Sequence, residues 1–304
     1  DDLLANRTAE IEALAEKYQT IPGAVVLGRG VSYPIALEGA LKILETNKLS
    51  MKGYALSDFH HGPIAQLRVI QEAKKAQVNR IVSICNSLHE FSAVYNNLKF
   101  VSGIYHAVGV APSEVTNPGK DWIQTVENSL KLPNVVALGE TGLDYYKKFG
   151  NKRTQTELFI TQLQLAQQHD MPVIIHNREA GSDVLEILSE YIPDAGAVFH
   201  CYSENAEYAE KSLDLNVYYS FAGNITYRNA RNLHETALKL PLDRILIESE
   251  SPFMVPAQYK GKRNMPAYTV STLQFLAELL DKDKDELADQ LWKNSCKFFR
   301  LPEA

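Results

Sequence analysis

Pro172-Val-Ile-Ile175, Gly196-Ala-Val-Phe199 and Val217-Tyr-Tyr-Ser-Phe221 decide the fold. Each is a short apolar run rich in β-branched or aromatic residues, the pattern of a buried strand. Between the first two, Val184, Ile187, Leu188 and Tyr191 recur at the spacing of one helix face. Strands that alternate with helices pair in parallel through βαβ units, so the chain reads as an α/β barrel or a doubly wound sheet. Working outward, the same rhythm adds Arg80–Cys85, Phe100–Val108, Asn134–Gly139 and Arg244–Ile247 as strands. Thr154, with Glu157 three residues on, predicts a capped helix start. Upstream lie two more strand-like runs, Gly23–Leu27 and Ser50–Leu56, the second weakened by Lys52 and Gly53. No low-complexity linker follows them, since Arg68-Val-Ile-Gln-Glu-Ala-Lys-Lys75 continues as helix. The expectation is one fused fold in which two front strands join seven barrel strands.

The 304 residues suffice for one large domain or two medium ones. Hydrophobic residues make up 45% and charged residues 22%, an ordinary balance that argues against disorder. No apolar run approaches the roughly 20 residues of a membrane span. The start of the chain shows neither a basic segment nor a cleavage site, and the three cysteines, Cys85, Cys201 and Cys296, are far apart. Both features predict a reducing, cytoplasmic setting without a membrane partner. A net charge of −6 argues against a nucleic-acid coat or clamp, yet leaves room for an enzyme that meets phosphate through a few local cations.

Ionisable residues stand where the buried runs end: Glu140 after Val135–Gly139, His176 after Val173–Ile175, His200 after Ala197–Phe199, and Glu250 just past Ile245–Ile247. A buried carboxylate needs a cation or a hydrogen-bond partner, and barrel strand ends converge on the face where active sites are built. One histidine so placed is commonly structural. Two histidines with two carboxylates point to a metal centre suited to zinc, manganese, nickel or iron. Such a centre polarises phosphoryl oxygens and acidifies water.

Several ordered motifs carry a resemblance. Gly139-Glu-Thr-Gly-Leu-Asp-Tyr-Tyr146, Pro172-Val-Ile-Ile-His-Asn-Arg-Glu-Ala180, Val198-Phe-His-Cys-Tyr202, Ser220-Phe-Ala-Gly-Asn224, Leu246-Ile-Glu-Ser-Glu-Ser-Pro252 and Gly261-Lys-Arg-Asn-Met-Pro266 are very similar to the TatD deoxyribonucleases. The resemblance covers roughly residues 68 to 301. It implies a TIM-type (β/α) barrel that cleaves phosphodiesters in DNA with a divalent metal, here magnesium, manganese or zinc. It makes Glu140 a bridging metal ligand, with His176 and His200 as further ligands. Arg178 and Glu250 become catalytic candidates, and Lys262 and Arg263 candidates for substrate phosphate, the alternative for that pair being a solvated loop.

The departures matter as much. The family opens with a strand ending in His-x-His, and this chain has no such motif. Gly109-Val-Ala-Pro112 stands where the family has Gly-x-His-Pro, so Ala111 offers no ligand or proton. Glu248-Ser-Glu250 replaces Glu-Thr-Asp, which moves the last carboxylate about one bond, ~1.5 Å, further from the backbone. The expectation is weakened or lost activity.

The front of the chain resembles something else. Leu27-Gly-Arg-Gly30, Tyr33-Pro-Ile-Ala-Leu-Glu-Gly-Ala-Leu-Lys42 and Asp58-Phe-His-His-Gly-Pro-Ile-Ala65 look like the sugar isomerase domain of glucosamine-6-phosphate synthase. That resemblance implies a flavodoxin-like αβαβ fragment over residues 1–67, replacing the first strand of a barrel over residues 68–304, with nine strands in all. It implies sugar-phosphate roles for Glu38, Lys42, Glu45 and His61. Against this, Glu38 and Lys42 also suit an exposed i, i+4 pair worth a few tenths of a kcal/mol, and the family's phosphate loop is missing. His60 and His61 are weak candidates to replace the lost metal ligands. Three readings therefore stand: a TatD-like hydrolase of reduced activity, a sugar-phosphate binder or isomerase, and a fold chimera, natural or engineered, without catalysis.

Overall fold

The computed structural model describes the backbone of Gly23–Gly28 and Ser50–Ala55, residues 63–303, and side chains from Gln66 onward. The chain divides into two units, Asp1–Arg68 and Val69–Ala304. In the first, β1 (Gly23–Gly28) and β2 (Ser50–Ala55) pair in parallel, from Gly23 opposite Ser50 to Gly28 opposite Ala55. Helix α1 (Pro63–Lys75) covers the stretch expected to be helical around Arg68.

The second unit alternates strictly. Its strands are β3 (Ile81–Ile84), β4 (Ile104–Val108), β5 (Val135–Asp144), β6 (Val173–Arg178), β7 (Ala197–Phe199), β8 (Val217–Phe221) and β9 (Ile245–Ile247). Helices α2 (Leu88–Leu98), α3 (Trp122–Leu130), α4 (Lys152–Gln168), α5 (Gly181–Tyr191), α6 (Ala206–Ser212) and α7 (Arg231–Lys239) stand between successive strands, and α8 (Thr269–Leu279) and α9 (Lys284–Phe299) follow the last. All seven strands pair in parallel and in chain order, as in a TIM-type barrel wall. The described strands form a two-stranded ladder, β1 with β2, and a seven-stranded ladder.

Period-two alternation sorts the sheet into two faces. Ala107, Ala137, Ile174, Val198, Tyr218 and Leu246, one from each of β4 to β9, gather on one face with Phe298 of α9. Their neighbours, among them Val173, Ile175, Phe199, Tyr219 and Ile245, join the larger core under the helices. Val184, Ile187 and Leu188 of α5 are buried there, as their spacing predicts. The start of α4 differs from expectation. Asn151, not Thr154, is the N-cap; its side chain accepts from Thr154 N while the Thr154 hydroxyl accepts from Asn151 N. Glu157 instead pairs with Arg153, one turn back on the exposed side. Among the described residues no helix is long and apolar enough to cross a membrane.

Candidate metal centre

The face that carries Ile174, Val198 and Leu246 runs on into the site. His176 lies two residues past Ile174, His200 two past Val198 and Glu248 two past Leu246, so strand alternation points all three the same way. Glu140 joins them through an irregularity. Leu138 is opposite Val173 but Thr141 is opposite Ile175, so β5 carries an extra residue at Gly139-Glu140. A bulge of this kind re-aims a side chain. It also explains why β5 continues to Asp144 and β6 to Arg178, leaving Glu140 and His176 within strands where the sequence suggested strand ends. Gly139 has φ +153, and a Cβ there would approach the Ile174 side chain to 2.7 Å. Only glycine lets the bulged strand lie this close to β6.

Donor atoms of Glu140, His176 and His200 all lie within 4.8 Å of one another. Glu140 Oε1 is 2.6 Å from His176 Nδ1 and 3.2 Å from His200 Nε2. Burial by itself would raise the Glu140 carboxyl, but the two imidazoles outweigh it and hold it well below the usual carboxylate range. The same balance acts on His200: burial opposes its charge, and Glu140 outweighs burial, raising it well above the ordinary histidine value. Cys201 is next in the chain, and burial followed by the Glu248 charge raises its thiol far above the ordinary range.

A second group surrounds the other side of His200. Its Nδ1 is 3.5 Å from Glu248 Oε1 and 3.6 Å from Glu250 Oε2, with no hydrogen-bond partner among the described residues although it is buried. Two imidazoles and three carboxylates thus converge, from within β5 and β6 and from just past β7 and β9. An orphaned buried nitrogen among carboxylates is the environment a divalent cation would complete, so the donor set fits such an ion.

The other expected residues sit around this cluster. Arg178 ends β6 and lays its guanidinium over the Tyr146 ring at 3.9 Å. Lys262 and Arg263 are exposed and, among the described residues, engaged in no ion pair; Lys262 lies 5.5 Å from the Tyr259 ring. Ala111 is buried after β4, where its N–H donates to the Asn86 carbonyl. His60, His61, Glu38, Lys42 and Glu45 lie outside the described residues.

Three residues were missed by sequence reasoning. Asp144 receives His176 Nε2 at 3.2 Å and is itself held by the Lys147 N–H at 2.7 Å, so it orients the ring from the side opposite Glu140. Glu248 could have been found by counting two from Leu246. Buried Asn264 donates to the carbonyls of Ser249 and Phe253, tying the Lys262–Arg263 segment to the loop that carries Glu250. No local pattern announces that last contact.

An in-order parallel barrel sheet with imidazoles and carboxylates at its C-terminal ends defines a barrel hydrolase of the metal-dependent class. The family model described as TatD related DNase matches residues 56–300. The chain belongs to that family. It is 34% identical over 234 residues to the uncharacterized metal-dependent hydrolase YabD of Bacillus subtilis (strain 168), covering 77% of this chain and 92% of YabD. A second relative, the metal-dependent hydrolase YcfH of Escherichia coli (strain K12), is also 34% identical, with 77% and 88% covered. Among solved structures, the TatD homolog YJJV of Escherichia coli superposes with a TM-score of 0.74 at 27% identity, covering 78% of this chain and 93% of YJJV.

Proposed function

We propose that this chain is a metal-dependent phosphodiesterase with DNA or a related phosphate ester as substrate, working well below the rate of an intact family member. The observation that carries the reading is the convergence of Glu140, His176 and His200 within 4.8 Å in a chain of this family. These three would hold one divalent ion, magnesium, manganese or zinc. An ion held there supplies Lewis acidity toward a phosphoryl oxygen and toward water. Glu140 keeps its charge because the imidazoles face it, and Asp144 fixes the His176 ring. Glu250, 29% exposed, is the carboxylate on the solvent side and would exchange a proton with substrate or water. Arg178, Lys262 and Arg263 supply positive charge for phosphate despite the net charge of −6.

Reduced turnover follows from chemistry the chain lacks. Ala111 provides no imidazole, the His-x-His ligand pair is missing, and Glu250 reaches further than an aspartate would. The test is hydrolysis of bis(4-nitrophenyl) phosphate and of single-stranded DNA with each metal, with chelator and Glu140→Gln as controls. Metal-independent turnover, or turnover unchanged in Glu140→Gln, would sink the reading.

A second reading concerns the front of the chain. Residues 1–67 are proposed to be a sugar isomerase-like fragment standing in for the first strand of the barrel of residues 68–304, which makes the whole a chimera. The parallel pairing of β1 with β2 supports it, because parallel neighbours need a crossover of about a dozen residues or more, as in a βαβ unit. Protection of the chain from proteolysis by glucosamine 6-phosphate, absent with free glucosamine, would favour sugar-phosphate binding; equal digestion would oppose it. The free thiols Cys85, Cys201 and Cys296 support a reducing, cytoplasmic setting.

A further inference from the structure

His200 presents its two ring nitrogens to two different sets of carboxylates, and the distances on the two sides are of different kinds. On one side, Glu140 Oε1 sits 2.6 Å from His176 Nδ1 and 3.2 Å from His200 Nε2, which are hydrogen-bond lengths. Those groups satisfy one another. On the other side, Nδ1 is 3.5 Å from Glu248 Oε1 and 3.6 Å from Glu250 Oε2, too long for a good hydrogen bond. The His200 side chain is 6% exposed and its Nδ1 has no hydrogen-bond partner among the described residues.

Four-coordinate sites with bonds of ~2.1 Å place their donor atoms ~3.4 Å apart. His200 Nδ1 stands at about that spacing from Glu248 Oε1 and from Glu250 Oε2, and Glu140 Oε1 stands closer to His176 Nδ1. We infer that this chain has a cation site of its own on the Nδ1 side, formed by His200 Nδ1, Glu248 and Glu250, and that a divalent ion binds there first. The inference rests on reading this face as a divalent-metal centre, and not on catalysis. With the ion on Nδ1, the His200 Nε2–H donates to Glu140, the carboxylate–histidine–metal arrangement that fixes a ligating ring. Glu140 and His176 then orient His200, and Glu250, engaged as a ligand, is withdrawn from proton exchange, so this occupancy is a resting mode distinct from the Glu140, His176 and His200 mode of the proposed hydrolysis. A neutral imidazole has one lone-pair nitrogen, so the two sides of His200 are alternatives for a single ion. One nitrogen and two carboxylates, with water completing the shell, are donors that zinc or manganese accepts, and Mn²⁺ is the probe because free ion can be counted. Glu248 and Glu250 are 19% and 29% exposed, which leaves the ion a way in from solvent.

The test titrates Mn²⁺ alone into chelator-treated full chain by calorimetry, with electron paramagnetic resonance counting free ion. The variants are His176→Ala, Glu248→Gln and Glu250→Gln. The expected result is one Mn²⁺ per chain, affinity within about threefold of the starting chain in His176→Ala, and at least tenfold weaker binding in each glutamine variant. The reverse pattern, equal loss in all three, or no binding by the unaltered chain overturns the site. Phosphodiester hydrolysis in the same samples judges the functional reading separately. One bound ion without turnover would leave the site standing and the phosphodiesterase refuted.

Discussion

Gly142 and His176 are direct partners across β5 and β6, and a Cβ on Gly142 would fall inside the His176 carbonyl oxygen. Gly142 also has φ +139, a conformation that L side chains rarely adopt. The strand that places Glu140 thus lies against the strand that places His176 only because no side chain intervenes.

Gly142→Ala should therefore separate β5 from β6 at the site itself. The expected loss of stability is at least ~2 kcal/mol, from strain at positive φ plus the overlap. Chemical denaturation checks this, and a variant as stable as the parent would contradict the close approach.

His106 gives a pH prediction remote from the metal ligands. It is fully buried in β4 against Phe91 and Tyr95, and neither ring nitrogen has a hydrogen-bond partner among the described residues. Burial lowers it from 6.5 to about 4. Between those values the unfolded chain binds the proton and the folded chain does not. Stability contributed by neutral His106 is therefore fully present above pH 6.5 and is lost as pH falls toward 4, by on the order of 3 kcal/mol. His106→Phe, which keeps the aromatic packing, should flatten that part of the stability–pH curve. Parallel curves for the variant and the parent would show the histidine does not titrate on unfolding.

Asn264→Ala tests how the Glu250 loop is held. Removing the amide leaves the carbonyls of Ser249 and Phe253 without its N–H, at a cost of about 1–3 kcal/mol. Because Ser249 lies between Glu248 and Glu250, Mn²⁺ affinity should drop as well. Denaturation midpoints measured with and without Mn²⁺ separate the two effects: a lost midpoint shift reports the site, and a lower metal-free midpoint reports the loop.

Cleavage of single-stranded DNA should be severely reduced relative to an intact TatD-type enzyme, and Glu250→Asp alone should not restore it. Groups that act as a unit are strongly non-additive, so one correction leaves Ala111 and the missing His-x-His pair limiting. The comparison uses magnesium, manganese and zinc with this chain, the Glu250→Asp variant and an intact relative. Chelator-sensitive turnover by the unaltered chain within about tenfold of the relative, ~1.4 kcal/mol in barrier, would refute it.

The seven strands of the second unit were legible in the sequence because strand periodicity and helix spacing are local properties. Val217–Phe221 coincides with its observed strand, and the others differ mainly at their ends. His176 and His200 were legible for the same reason, since each follows a buried run and alternation sets its face. The helix start at Asn151 was misplaced because Asn, Ser and Thr all cap helices, and the sequence alone does not choose among neighbouring ones. What only the tertiary structure decided is distance. A bulge at Gly139-Glu140 exists only relative to the partner strand β6, so Glu140 could be named from sequence but not aimed. The reach of Glu248 and Glu250 to His200 Nδ1, and the ties of Asn264 to Ser249 and Phe253, depend on how separate loops meet above the sheet. The strand count likewise depended on which backbone edges pair, and β1 and β2 pair with each other. Pattern along a chain specifies which way a side chain points; packing between elements sets what it meets there.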